Sequence, residues 1–161
     1  MRNTVVVGLG SNLDDREYEI KESVNFLSTI GEVVVVSSLY ESPPWGYHSS
    51  NAYLNACAEI ETELSAELVL SKMIEYESSR GRVRNSEGYA DRPIDMDIIY
   101  YNNELVEMED LVIPHPYIAN RNFVLKPLAE ILPNFRHPKL GKTSDELLIL
   151  SLDTSKCERI G

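Results

Sequence analysis

Asp95 and Asp97 stand one residue apart in the run Ile94-Asp95-Met96-Asp97-Ile98-Ile99. Along an extended chain successive side chains face opposite ways, so this spacing puts both carboxylates on one face and Met96 and Ile98 on the other. Two carboxylates beside an apolar core repel each other and are costly to desolvate unless something positive lies between them. A divalent cation relieves both costs. Mg²⁺ suits such a pair, because it takes hard oxygen ligands and is commonly shared between one or two carboxylates and substrate phosphates. Read alone, Asp-x-Asp also describes a strand edge with two solvated aspartates. The arginines shift the balance. Arg80, Arg82, Arg84 and Arg92 arrive together just ahead of the pair, after a stretch from Glu22 to Ser71 with no Lys or Arg. A metal bridging phosphate oxygens, with guanidinium groups neutralising the rest, is a site for a triphosphate. Any one of these arginines could instead be a solvated residue paired with Glu87 or Asp91.

Two further groups of residues could act with them. His115 follows Pro114, and Arg121 and Phe123 stand at the expected start of a helix, where backbone N–H groups favour anions. His115 and Arg121 would form a second cationic arm. The loop Ser42-Pro43-Pro44-Trp45-Gly46-Tyr47 holds the single tryptophan, and Tyr53 and Asn55 share a strand face. Trp45, Tyr53 and Phe123 can stack on a flat heterocycle, while the Asn55 amide offers a donor and an acceptor to its edge. The alternative for Trp45 is a hydrophobic plug capping its loop. No Gly-x-x-x-x-Gly-Lys-[Ser/Thr] loop is present, and Gly8-x-Gly10 lacks the third glycine of a dinucleotide fingerprint. It reads as a tight turn ending the first strand.

The elements that must position these residues alternate in period. Thr4 to Gly8 reads as a buried strand, and Asp14 and Asp15 can cap a helix with Ile20, Val24 and Leu27 inward, closed by Gly31. Val33 to Tyr40 and Tyr53 to Glu61 read as strands. Ser65 caps a second helix with Leu70, Met73 and Ile74 at core spacing. Ile94 to Tyr101 is a fourth strand and Leu111 to Ile113 a short one; a helix from about Asn120 to Ile131 must accommodate Pro127. A peripheral helix is expected around Ser144 to Leu150. The order β-α-β-β-α-β makes an α+β protein of ferredoxin-like type, an antiparallel sheet with helices packed on one face and extra C-terminal helices.

The 161 residues suit one domain, 1–161. A formal net charge of −11 argues against a general nucleic-acid binder and against docking on anionic membranes. No stretch approaches the ~20 apolar residues that span a bilayer, and the apolar run near Met1 is too short for a signal peptide. Cys57 and Cys157 lack metal-type spacing and read as reduced thiols in the cytoplasm. A monomer acting on small molecules is expected.

At this point the sequence resembles the 6-hydroxymethyl-7,8-dihydropterin pyrophosphokinases of folate biosynthesis. The resemblance rests on Gly8-Leu9-Gly10-Ser11-Asn12-Leu13, Tyr40 to Gly46, Tyr53-Leu54-Asn55, Gly81-Arg82-Val83-Arg84, Arg92 to Ile98, Pro114-His115 and Arg121 to Leu125. It implies transfer of a diphosphate from ATP to the hydroxymethyl group of the pterin, releasing AMP. By the resemblance, Asp95 and Asp97 would hold two Mg²⁺ ions, and Arg82, Arg92, His115 and Arg121 would neutralise the phosphates. Ser42, Pro43, Trp45, Tyr53, Asn55, Tyr89 and Phe123 would line the pterin pocket; Leu70, Glu77, Arg84, Ile98 and Val112 would serve the ATP side. Three positions depart from the family pattern. Tyr89 stands where Trp is common, Asp110 is acidic where some members are basic, and Asp91 replaces a proline, so the chain there should be less restrained. Two readings compete with this one: a two-metal nucleotidyltransferase on a similar sheet, and a non-catalytic ligand-binding module.

Overall fold

The computed structural model describes residues 2–44, 49–81, 91 and 93–160. Strand β1 (Asn3–Ser11) lies inside the sheet, antiparallel to β4 (Tyr53–Thr62) on one side and to β5 (Asp95–Tyr101) on the other. Beyond β4 come β2 (Glu32–Val36) and β3 (Leu39–Ser42), which pair with successive parts of it, and β8 (Glu158–Ile160) adds to β3. The order is therefore β5-β1-β4-β3-β8, with β2 beside β4. A separate ribbon pairs β6 (Val106–Glu107) with β7 (Val112–Ile113).

Where one strand was expected over Val33 to Tyr40, two form. The break falls at Ser37, whose N–H donates to Cys57 O at 2.8 Å while its Oγ accepts the Cys57 N–H at 2.9 Å. The serine hydroxyl replaces a backbone acceptor, so the ladder changes strand without leaving a buried N–H unpaired.

Helices cover both faces of the sheet rather than one. Helices α1 (Arg16–Ile30) and α2 (Ala66–Ser79) bury Ile20, Leu27, Val69 and Met73 against Val5, Val7, Leu9 and the apolar side of β4. Asp15 and Ser65 cap them, accepting from Tyr18 N and Leu68 N. The inward stripe of α2 includes the expected Met73 but pairs it with Val69: both are fully buried, while Leu70 and Ile74 are half so. Each fully buried aliphatic side chain contributes roughly 1.5–3 kcal/mol. On the opposite face α3 (Asn122–Ile131) and α4 (Ser144–Leu150) pack Leu125, Leu128 and Leu147 against Val6, Ile99 and Tyr100. A short 3₁₀ turn, Ile118–Asn120, precedes α3, and Pro127 sits within α3 without dividing it. A bulge in β5, between the Val7↔Ile98 and Val6↔Tyr100 pairs, turns both Ile99 and Tyr100 toward α3. Among the described residues no helix is long and apolar enough to cross a membrane.

Candidate active site

The α3 side of the sheet is filled at one end and hollow at the other, and the hollow is made by glycine. Gly8 and Gly10 lie within β1, not in a turn after it. Gly8 pairs with Cys57 on β4 and Asp97 on β5; Gly10 pairs with Asn55 and Asp95. Residues directly opposite in a sheet share a face, so the two carboxylates, the two glycines and Asn55 form one continuous floor. With no side chains rising from the central strand, an open cavity remains above it. Ser42, Pro43 and Tyr53 border it from β3 and β4, and His115, Arg121, Phe123 and Val124 from the segment entering α3.

Each wall is fixed by identifiable bonds. Asn55 is 4% exposed, and its Nδ2 donates to Ser42 Oγ at 2.8 Å and to Tyr40 O at 3.2 Å. The donor half of that amide is thus used within the protein, and its Oδ1 faces the space over Gly10. On the other wall the Tyr40 hydroxyl donates to Glu130 Oε1 at 2.7 Å, and Ser38 N–H donates to Glu130 Oε2 at 2.9 Å. These bonds tie α3 to β3. Burial alone would raise the Glu130 carboxyl, but the hydrogen bonds from Tyr40 and Ser38 outweigh it and hold the group below its usual range.

His115 and Arg121 form the side that supplies N–H donors. The His115 N–H donates to Ile99 O at 3.1 Å, and Nδ1 accepts the Tyr117 N–H at 3.3 Å. Nε2 then carries the proton of the neutral ring, and it stands 4.0 Å from Asp97 Oδ2. Burial, aided by the positive charge of Arg121 and opposed by Asp95, pushes the imidazole down to about 4. The ring is neutral at pH 7, a hydrogen-bond donor rather than a cation. Arg121 is 9% exposed and lies between two rings, 4.8 Å from Tyr117 and 5.6 Å from Phe123. Such stacking holds a planar guanidinium in one orientation.

Of the residues expected from the sequence, Asp95, Asp97, His115, Arg121, Ser42, Pro43, Tyr53, Asn55 and Phe123 come together at this cavity. Trp45, Arg82, Arg84, Tyr89 and Arg92 lie outside the described residues. Leu70, Glu77, Ile98 and Val112 do not line it: Ile98 is in the α1/α2 core, Val112 is exposed on β7, and buried Glu77 accepts the Met96 N–H at 2.8 Å. Arg80 is committed elsewhere, gripping Glu19 of α1 through Nε and Nη2 at 3.0 and 2.5 Å. The sequence reading missed Gly8 and Gly10 as the floor and Tyr117 as a neighbour of Arg121. The signal for the first was three period-2 pairs, Gly8/Gly10, Asn55/Cys57 and Asp95/Asp97, that come into register.

Fold and cavity together define a small α/β protein built to bring an acidic pair, a buried arginine and a flat-sided pocket to one place. The model of the 7,8-dihydro-6-hydroxymethylpterin-pyrophosphokinase (HPPK) family matches residues 6–133. The chain is similar to the 2-amino-4-hydroxy-6-hydroxymethyldihydropteridine pyrophosphokinase of Bacillus subtilis, 40% identical over 148 residues, covering 91% of this chain and 88% of that protein. The Aquifex aeolicus enzyme of the same name is 36% identical over 143 residues, covering 89% of each. A folic acid synthesis protein of Dictyostelium discoideum is 37% identical over 145 residues, 90% of this chain and 22% of that one. Among solved structures, Plasmodium falciparum HPPK-DHPS with pteroate superposes with a TM-score of 0.72 at 17% identity, over 92% of this chain and 42% of that chain. That likeness shows the fold. This chain spans less than half of the Dictyostelium and Plasmodium chains. It belongs to the HPPK family, whose reaction is diphosphate transfer from ATP to hydroxymethyldihydropterin in folate synthesis.

Proposed function

We propose that this chain carries out the family reaction in the cavity over Gly8 and Gly10, with the pterin against β3 and β4 and the phosphates over β5. The observation that carries this is the register of β1 with its neighbours, which sets Asp95 and Asp97 beside a cleared floor and opposite Asn55. The pterin lies between Tyr53 and Phe123, with Ser42, Pro43 and Asn55 at its edge; Trp45 and Tyr89 complete that side. Arg82, Arg84, Arg92, His115 and Arg121 take the phosphate oxygens. Leu70, Glu77, Ile98 and Val112 serve the adenosine, outside the cavity, where α2 and β7 pack against β5. The core that carries all of this is a ferredoxin-like β-α-β-β-α-β unit, and the chain is one domain, a monomer working in the cytoplasm.

The donor set fits Mg²⁺. Two half-exposed carboxylates share a face, and among the described residues no cluster of three or more metal-ligating side chains gathers. A pair of carboxylates leaves most of an octahedral shell to phosphate oxygens and water, which is the usual arrangement for this ion. Asp95 and Asp97 would hold two such ions, which supply charge neutralisation at the phosphates and at the attacking hydroxyl. The residues themselves do the rest. Phe123 and Tyr53 hold the ring, the Asn55 oxygen accepts from its edge, and the pocket aligns the hydroxymethyl oxygen with the phosphates. The neutral His115 donates through Nε2, and Arg121 offers a fixed fork to developing phosphate charge. No covalent intermediate is needed.

Incubating the protein with ATP, Mg²⁺ and 6-hydroxymethyl-7,8-dihydropterin tests this. AMP and a diphosphorylated pterin, formed in equal amounts and only with all three present, are the expected products. Released pyrophosphate would point to a nucleotidyltransferase, and the absence of turnover to a binding module; either overturns the proposal.

A further inference from the structure

Asp91 is not among the residues lining the cavity, yet its carboxylate accepts hydrogen bonds from two other segments. Asn12 Nδ2 donates to Oδ1 at 2.8 Å, Ser49 Oγ to Oδ2 at 3.0 Å, and Asn51 Nδ2 to Oδ2 at 2.7 Å. The donors are also joined to one another. Asn12 Nδ2 donates to Asn51 O at 3.1 Å, and the Asn51 N–H donates to Ser49 Oγ at 3.1 Å. Asn12 is only 3% exposed. A carboxylate is an acceptor-only group, so it matches such a set of neutral donors, and bonds to an ionised acceptor are roughly twice as strong as neutral ones. An acidic residue in place of proline therefore brings three side-chain hydrogen bonds to the chain at this point.

The segments joined are those that build the site. Asn12 directly follows β1, which carries Gly8 and Gly10; Ser49 and Asn51 directly precede β4, which carries Tyr53 and Asn55. Asp91 itself is four residues ahead of Asp95, the first residue of β5. We propose that Asp91 is a positioning residue: its carboxylate fixes the entry to β5 against β1 and β4, and so sets the carboxylate pair relative to the pterin wall. This rests on the functional reading above.

The test uses Asp91→Asn, Asp91→Ala and Asn51→Ala in the full chain. The asparagine variant keeps the size but replaces one acceptor oxygen with an NH₂ that meets the donors head-on. Steady-state kinetics with ATP, Mg²⁺ and 6-hydroxymethyl-7,8-dihydropterin should show kcat/KM for the pterin at least tenfold lower in both Asp91 variants, with kcat itself reduced. Asn51→Ala should fall several-fold, and adding it to Asp91→Ala should cause no further loss, because both remove one network. Wild-type constants in the Asp91 variants, or losses that multiply in the double variant, overturn the proposal. Amide hydrogen exchange, which needs no substrate, is read on the same proteins. Asp91→Asn should speed exchange of the amides at 94–97 and 51–55 together; unchanged exchange in either segment overturns the tether. A wild type without turnover sinks the functional reading, and the exchange measurement then still decides on Asp91.

Discussion

A methyl group on Gly10 would sit 3.4 Å from Tyr53 Cδ1 and 3.5 Å from Asn55 Oδ1, at ordinary contact distance from both and in the space a flat ligand needs. Gly8 differs, because a methyl there would press on Ile99 Cδ1 at 3.1 Å. Gly10→Ala should therefore fold normally, with a melting temperature within a few degrees of wild type, while KM for the pterin rises about tenfold or more, roughly 1.4 kcal/mol of lost binding. Steady-state kinetics alongside a thermal melt checks this, and an unchanged KM would show that the pterin does not lie over β1. The chemistry-bearing residues were legible because their types are informative and their spacing matches the strand period: Asp95 with Asp97, and Tyr53 with Asn55. The glycines were not. Gly-x-Gly signals a turn as readily as a cleared strand face, and what separates the two is pairing with Cys57, Asn55, Asp97 and Asp95, which depends on the whole sheet. The Asn55 amide shows the same limit: its types of contact were foreseeable, but Ser42 and Tyr40 taking its donor was not.

Among the elements, the strands and helices that bear the site were readable from period and caps, as with Asp15, Ser65 and the alternation through β4. The split at Ser37 was not, because a run of valines extends equally well through a break that one serine hydroxyl makes possible. The second helical face was also missed. The pattern of α3 shows an apolar stripe but not which side of the sheet receives it, and that choice follows from Val6, Ile99 and Tyr100 facing away from α1 and α2. The turn before α4 carries a pH-sensitive bond set. His137 is 5% exposed, and its Nδ1 accepts the N–H groups of Lys139 and Leu140 at 3.1 and 3.0 Å. Burial, with the charge of Lys139, holds its pKa below the usual histidine value. Between the folded and unfolded values the unfolded chain binds more protons, so stability is full at neutral pH and is lost as pH falls below about 6.5. His115, pushed down to about 4, acts in the same direction. His137→Asn keeps an acceptor and removes the titration, so its melting temperature should fall less steeply between pH 6.5 and 5 than that of wild type. Equal slopes would show that His137 does not titrate on unfolding in this range.

For the molecule as a whole, the charge of −11 now reads as a distribution rather than a total. Acidic side chains are spread over helices and loops, Arg80 is absorbed by Glu19, and buried Arg121 is left stacked beside the acidic pair at the cavity. Net negative charge keeps such a protein soluble and disfavours polyanions, while a local pocket can still take a triphosphate if cations offset it. That β1, β3, β4, β5 and the segment entering α3 all contribute to one cavity makes the acidic pair the centre of the account. Asp97→Ala removes one carboxylate from a half-exposed position on a strand paired along its length with β1, so the fold should survive, as a thermal melt will show. The decisive measurement is the rate of AMP formation from ATP and 6-hydroxymethyl-7,8-dihydropterin as a function of Mg²⁺ concentration, in wild type and in Asp97→Ala. A wild-type rate that requires Mg²⁺, with a fall of at least a hundredfold in the folded variant, about 2.7 kcal/mol in the barrier, is the result predicted. A folded Asp97→Ala variant that forms AMP at the wild-type rate and with the same Mg²⁺ dependence would contradict it.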